Sequence, residues 1–437
     1  MQRLLSLDQS PPFSVPLRFF LSAPAFALLA ALLLLWQGPQ AFMSRWSPAT
    51  LALTHLLTIG VLSMTMIGAL LQILQVVAGV EIPQARQSAA AIHALLTVGC
   101  LLLACAFLES EPWLFRLALP CLLLGFGWLL IACAIGMWRN PTVSETLSAI
   151  RLSLIGLSIA ILLGALAASV FAWSWELPLL PLPLLADLHA GWGLLAWVGL
   201  LVVGVAYQVV PMFQVTEIYP TSVTHKLAGS VFIALTLWTV ATYLAPETPH
   251  WLEQLPALLL GVGYLTFAIV TLQLIRHRKR PRTDAATLFW YAALSSLSGA
   301  VLLWLLAQCM PALSASSAYP LLLGVLFIAG FACSVINGML YKIVPFLVWY
   351  HLQHRITDRS QRAPNVRQVI DEQASLRQFG AHVVALLLLL GATWDAEMLA
   401  RPAAVAFGIS SAWLLRNLLQ AMRTYRDFNK RMTLATA

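Results

Sequence analysis

From Ala49 to Val77 the chain reads ATLALTHLLTIGVLSMTMIGALLQILQVV, twenty-nine residues without one Asp, Glu, Lys or Arg. A membrane strand would alternate apolar and polar positions over about ten residues, and this run does not alternate. As a helix rising 1.5 Å per residue it is long enough to cross a hydrocarbon layer about 30 Å thick. Lipid offers no partner to an open backbone N–H or C=O, so an apolar run of this length has to be helical. Its polar side chains include His55 near one end and Gln72 near the other.

The same reading repeats along the whole chain. Apolar runs lie near 19–37, 49–78, 88–108, 113–138, 150–173, 186–214, 225–245, 255–276, 286–309, 319–350, 379–394 and 401–422, which predicts an all-α integral membrane protein of about twelve spans. Composition agrees: of 437 residues, 60% are hydrophobic and only 10% charged, and the mean hydropathy of +0.84 excludes a soluble globular class. The expected organisation is a single transmembrane domain over 1–437, with the polar loop 351–378 too short for a domain of its own. The six cysteines fall in or beside apolar runs without a C-x-x-C pair, which reads as packing rather than metal or haem attachment. The polar stretch up to Arg18 is followed by no small-residue cleavage pattern, so the first run reads as a retained span.

Charge sets the expected topology. With the N-terminus inside, only Arg45, Arg116 and Arg401 of the 25 Lys and Arg fall outside. The cluster Arg276 to Arg282, the arginines of 355–377 and the basic C-terminus all fall inside, as the positive-inside rule demands. The expected location is a bacterial-type inner membrane with both termini cytoplasmic. The formal charge of +8 is then a topological signal; the expected partner is the bilayer, with no nucleic acid.

The second, sixth and tenth spans end alike. Gly68-x-x-x-Gln72-x-x-Gln75, Gly204-x-x-x-Gln208-x-x-Pro211 and Gly338-x-x-x-Lys342-x-x-Pro345 follow each other at 136 and 134 residues. In the first two an acidic residue, Glu81 or Glu217, stands nine positions after the glutamine, and the following span opens with His93, His225 or His382. Four spans return the chain to its starting side, which predicts three parallel four-helix repeats, about 19–138, 150–276 and 286–422.

Ionisable groups at membrane depth are costly and are candidates for chemistry. His55 lies near the outer end of the second span and His189 at the corresponding end of the sixth. A neutral imidazole is a good iron or copper ligand, and it also serves as an interfacial group bonded to a carbonyl or phospholipid. His93, His225 and His382 read as shallow, solvated structural residues. Gln72 and Gln208 read as glue between helices, and Lys342 as a side chain that finds a partner or, by preference, snorkels to the inner interface. Ser334, Asn337 and Tyr341 form an i, i+3, i+7 stripe that either packs on a neighbour or lines a polar path.

Together these features resemble haem-copper oxidase subunit I and its smaller, ligand-poor relatives such as the NnrS-like nitric-oxide-response proteins. The resembling segments are Thr54 to Gln72, His189 through Tyr207-Gln208-Val209-Val210-Pro211, and Tyr341 to His351. The resemblance implies an oxidase-like fold, a haem-ligand role for His55 and a metal-ligand role, copper included, for His189. It also implies a part in nitric oxide response or respiratory-complex maturation, with respiratory or haem-protein subunits as partners. The departures are equally specific. Tyr319 to Ile328 contains no histidine, the seventh span has none beyond His225, and Gly193 stands where an active-site tyrosine is expected. Oxygen reduction is therefore not expected. Two other readings compete: a carrier for a small apolar molecule or metal ion, and a non-catalytic respiratory scaffold.

Reporter fusions after Arg282 and at the C-terminus should report cytoplasm, and fusions near Glu176 and Glu247 the far side. A far-side signal at residue 282 would overturn the span count.

Overall fold

The computed structural model describes residues 10–244, 251–280, 282–356 and 363–436. Arg3, Glu247, His250, Pro281 and residues 357–362 of the inner loop lie outside them. Among the described residues twelve helices are long and apolar enough to cross a membrane. They are α1 Ser14–Phe42, α2 Pro48–Val77, α3 Ala85–Glu109, α4 Pro112–Arg139, α5 Glu145–Trp173, α6 Leu182–Gln214, α7 Thr221–Leu244, α8 Trp251–Arg276, α9 Ala285–Cys309, α10 Ala318–Gln353, α11 Glu372–Ala392 and α12 Ala396–Met432. The chain is an all-α, multi-pass membrane protein.

Local chemistry sets where these helices begin and end. α2 opens with Pro48, whose missing N–H costs nothing at a first turn, behind an Ser47 cap that accepts from Thr50 N. Ser144 and Asp371 cap α5 and α11 in the same way. Left-handed Ser110 and Ser174 end α3 and α5, and Gly79, at φ +63°, turns the chain out of α2. The spans are not equally enclosed. In α2, α6 and α10, 72%, 72% and 61% of the most apolar window is buried, against 28–56% in the other nine. These three spans are the most enclosed of the twelve, and the others carry exposed leucines, valines and isoleucines suited to lipid.

The most enclosed spans share a backbone irregularity. Leu56–Ser63 in α2, Trp192–Leu200 in α6 and Val325–Cys333 in α10 are wound as wide π-turns rather than α-turns. Such stretches are rare and concentrate at functional sites. Widening a turn changes which carbonyls find partners, and in α6 the Leu195 carbonyl accepts from the Tyr264 hydroxyl of α8 at 2.5 Å.

Each π-stretch is followed by the glycine singled out in the sequence, and each glycine meets the preceding helix at the same place. A Cβ on Gly68 would lie 3.0 Å from Phe19 Cβ and 3.1 Å from Pro16 O; on Gly204, 2.6 Å from Ala149 Cβ and 3.4 Å from Thr146 O; on Gly338, 2.7 Å from Phe289 Cβ and 3.3 Å from Ala286 O. In all three the contact is to a Cβ and to the carbonyl three residues before it. Small residues let membrane helices approach closely enough to gain dispersion energy that lipid cannot supply.

The chain forms two compact units. Pro12–Gly68, Arg282–Ala293 and Ser316–Ala437 make one, and Ala69–Pro281 with Leu294–Ala315 and the segment up to Pro11 make the other. In the first, α1 packs on α12 and α2, and α11 on α12; in the second, α3 packs on α4, α5 on α6 and α7 on α8.

Gly204→Ala should destabilise the protein by about 1–3 kcal/mol through overpacking. Gly127→Ala, which meets nothing within 4 Å, should be neutral or slightly stabilising. Thermal unfolding of the two variants in detergent compares them directly.

Candidate functional site

His55 is the last residue of the α-helical first part of α2, directly before the π-stretch at Leu56. Its Nδ1 lies 2.8 Å from Leu51 O. A carbonyl only accepts, so Nδ1 carries the proton in this bond. His189 stands three residues before the π-stretch of α6. Its Nδ1 donates to Ala160 O of α5 at 2.9 Å, and the ring lies against Gly164, where a Cβ would be 2.8 Å from Cε1. That bond joins two spans, whereas the backbone bonds of His55, His225, His277 and His354 stay within one helical turn. Both candidate imidazoles are thus oriented by backbone, as a metal-binding histidine is by its second ring nitrogen. His55 belongs to one compact unit and His189 to the other.

The polar stripe of α10 packs into a buried network. The His382 ring on α11 is 2% exposed, with Nε2 2.8 Å from Ser334 Oγ and Nδ1 3.4 Å from Asn337 Nδ2. An amide NH₂ only donates, so Nδ1 accepts and Nε2 carries the proton toward Ser334. Phe289 packs on the same ring at 5.3 Å between centroids. One turn further on, Tyr341 accepts from Asn417 Nδ2 of α12 at 2.9 Å, and Gln378 Nε2 donates to Ser410 Oγ at 3.0 Å. The spacing read His382 as shallow, like His93 and His225. The structure differs because α11 opens at Glu372, which sets His382 about 15 Å along the helix at 1.5 Å per residue. His225, four residues into α7, is exposed and faces Glu145 at 3.2 Å; His93 is half-buried in α3.

Lys342 does not depend on snorkelling. Its Nζ reaches Asp284 Oδ2 at 2.5 Å, with the two side chains only 17% and 12% exposed. Asp284 also caps α9, accepting from Thr287 N and Oγ1 at 3.0 Å each. Burial alone would raise the Asp284 carboxyl, but the Lys342 charge and the hydrogen bonds from Lys342 and Thr287 hold it below its ordinary value. Gln72, at the equivalent place in α2, donates to Ser10 Oγ at 2.8 Å. In both cases the polar residue four positions after the glycine ties its span to the segment entering the preceding one. Gln208 is half-buried in α6.

Sequence reasoning missed Asp284, Gln378, Ser410 and Asn417. The signal for Asp284 was present, an acidic residue directly before an apolar run. The others are neutral polar residues whose partners lie 32 to 76 positions away. Among the described residues no group of three or more His, Cys, Asp or Glu side chains is placed to hold a metal ion. No family model matches the chain, and comparison with curated proteins returns no relative.

Lys342→Met should cost about 3–5 kcal/mol, because it leaves a buried carboxylate without its counter-charge; adding Asp284→Asn should recover part of the loss. Asp284 has a depressed folded value, so its contribution is complete at neutral pH. It declines as the pH falls from about 4, the ordinary Asp range, through that lower folded value. Thermal unfolding of wild type and Lys342→Met between neutral and acid pH should show the wild-type advantage shrinking only at the acid end.

Proposed function

We propose that this chain is a haem-associated protein of a bacterial-type inner membrane, with both termini cytoplasmic, in which His55 is the axial ligand. The observation that carries the reading is the placement of His55. Its ring is oriented by a hydrogen bond from Nδ1 to Leu51 O, and it stands at the entry to a π-stretch in one of the three most enclosed spans. The donor chemistry fits a haem held by one imidazole. A haem held there would supply iron chemistry toward a diatomic or other exogenous ligand. The part of the chain would be to hold and orient the group through the His55 ring. A copper centre of three or more protein donors does not fit the described residues. Copper association rests on His189 alone, by the resemblance to ligand-poor oxidase relatives, and so does a role in nitric oxide response or respiratory-complex maturation.

A second reading has its own support. The buried ring of His382 and the α10 stripe of Ser334, Asn337 and Tyr341 place hydrogen-bonding groups deep in the spans, which is where carriers keep their pathways.

Purified protein should show a pyridine-haemochrome spectrum near one haem per chain. His55→Ala should abolish it while leaving membrane insertion intact, and His189→Ala should keep the haem and change copper content. Haem-free wild-type protein would sink the haem reading, and substrate flux in proteoliposomes would then favour the carrier.

A further inference from the structure

One cavity in the unit that contains α10, α11 and α12 is lined by Asn337, Ser410, Ser411, Cys333 and Phe407, with aliphatic side chains of α1, α2, α10 and α12 completing the wall. About 20 Å³ of it is open to the centre of a water molecule, and one buried water needs about 10–15 Å³ on that measure. Its polar wall is only partly satisfied from within the protein. Ser410 Oγ accepts from Gln378 Nε2, and among the described residues no carbonyl or side chain takes the proton of that hydroxyl. Asn337 spends its Nδ2 on His382, which keeps Oδ1 as an acceptor. Ser411 donates to Phe407 O at 2.8 Å and has lone pairs left on Oγ. The wall therefore offers one donor and two acceptors, the complement of a molecule that both donates and accepts.

The geometry points to a binding site for a single water molecule in this cavity, accepting from Ser410 Oγ–H and donating to Asn337 Oδ1. Unpaired polar groups in a membrane interior cost several kcal/mol apiece, and a water with three partners removes that cost for both residues at once. It also closes a ring of hydrogen bonds that runs from His382 through Asn337, the water and Ser410 to Gln378, and so back to α11. An apolar molecule would leave Ser410 and Asn337 unsatisfied, and an ion would find no counter-charge among the lining side chains. The inference is independent of haem.

Millisecond X-ray radiolysis of the intact protein tests it, because hydroxyl radicals born from a bound water oxidise its immediate neighbours. Cys333 and Phe407, only 3% and 7% exposed, should be oxidised several-fold faster than Cys133 and Phe331, at 0% each, and a bulk radical scavenger should not suppress the difference. Ser410→Val removes the donor and fills the space, and should bring Cys333 and Phe407 down to the rate of the controls. Ser410→Ala serves if the valine variant does not fold. Equal rates in the wild type would mean a dry cavity and overturn the proposal. Suppression by the scavenger would mean access from bulk solvent and overturn it equally.

Discussion

Every structural feature of this protein answers to one constraint: in hydrocarbon each backbone N–H and C=O must be paired within the protein. Helices meet it segment by segment, and twelve of them account for most of the described chain. The three π-stretches are places where the solution is altered, and they lie in the spans most enclosed by protein. An irregular backbone is tolerated at membrane depth only where protein surrounds it. Tyr264 on Leu195 O is one such surrounding group, supplied by a neighbouring span.

Polar side chains follow the same constraint. His382 is held between Ser334 and Asn337, Lys342 by Asp284, Tyr341 by Asn417, and Gln72 by Ser10. A buried ion pair is weak evidence for stability, since desolvation offsets much of its attraction, but it makes the loss of either partner severe. Its position suggests what it does for the fold. Asp284 begins α9 and Lys342 lies in the enclosed span packed on α9, so the pair fixes how α9 enters beside α10. Gln72 and Ser10 do the same at α2 with a neutral bond. The glycines four residues earlier bring the same helix pairs into backbone contact.

This arrangement separates two kinds of histidine. His55 and His189 each donate from Nδ1 to a backbone carbonyl and stand at the approach to a π-stretch. His382 carries its proton on Nε2 and has both nitrogens occupied by side chains. The first kind is anchored to backbone; the second is a member of a buried side-chain hydrogen-bond network. Burial alone would have ranked His382 first, so the identity of the bonded nitrogen is the more useful guide.

Twelve spans were legible in the sequence because apolar length is a local property, and the physics that reads it, transfer of about twenty residues into lipid, needs no knowledge of neighbours. The recurring Gly-x-x-x-Gln or Gly-x-x-x-Lys pattern was legible for a related reason: each copy solves the same contact with the preceding helix, and the solution is written in one short segment. What the sequence could not decide was pairing. Lys342 near an interface is compatible with snorkelling or with a partner, and only the fold brings Asp284, 58 residues earlier, within reach. The depth of His382 depends on where α11 begins after a long loop, and Ser410 and Asn417 acquire meaning only when α12 lies against α10 and α11. The orientation of His189 was likewise set by a carbonyl of another span. Local hydrophobicity determines which segments enter the membrane, whereas hydrogen bonds between segments far apart in the chain depend on packing, and packing is decided by the tertiary structure alone.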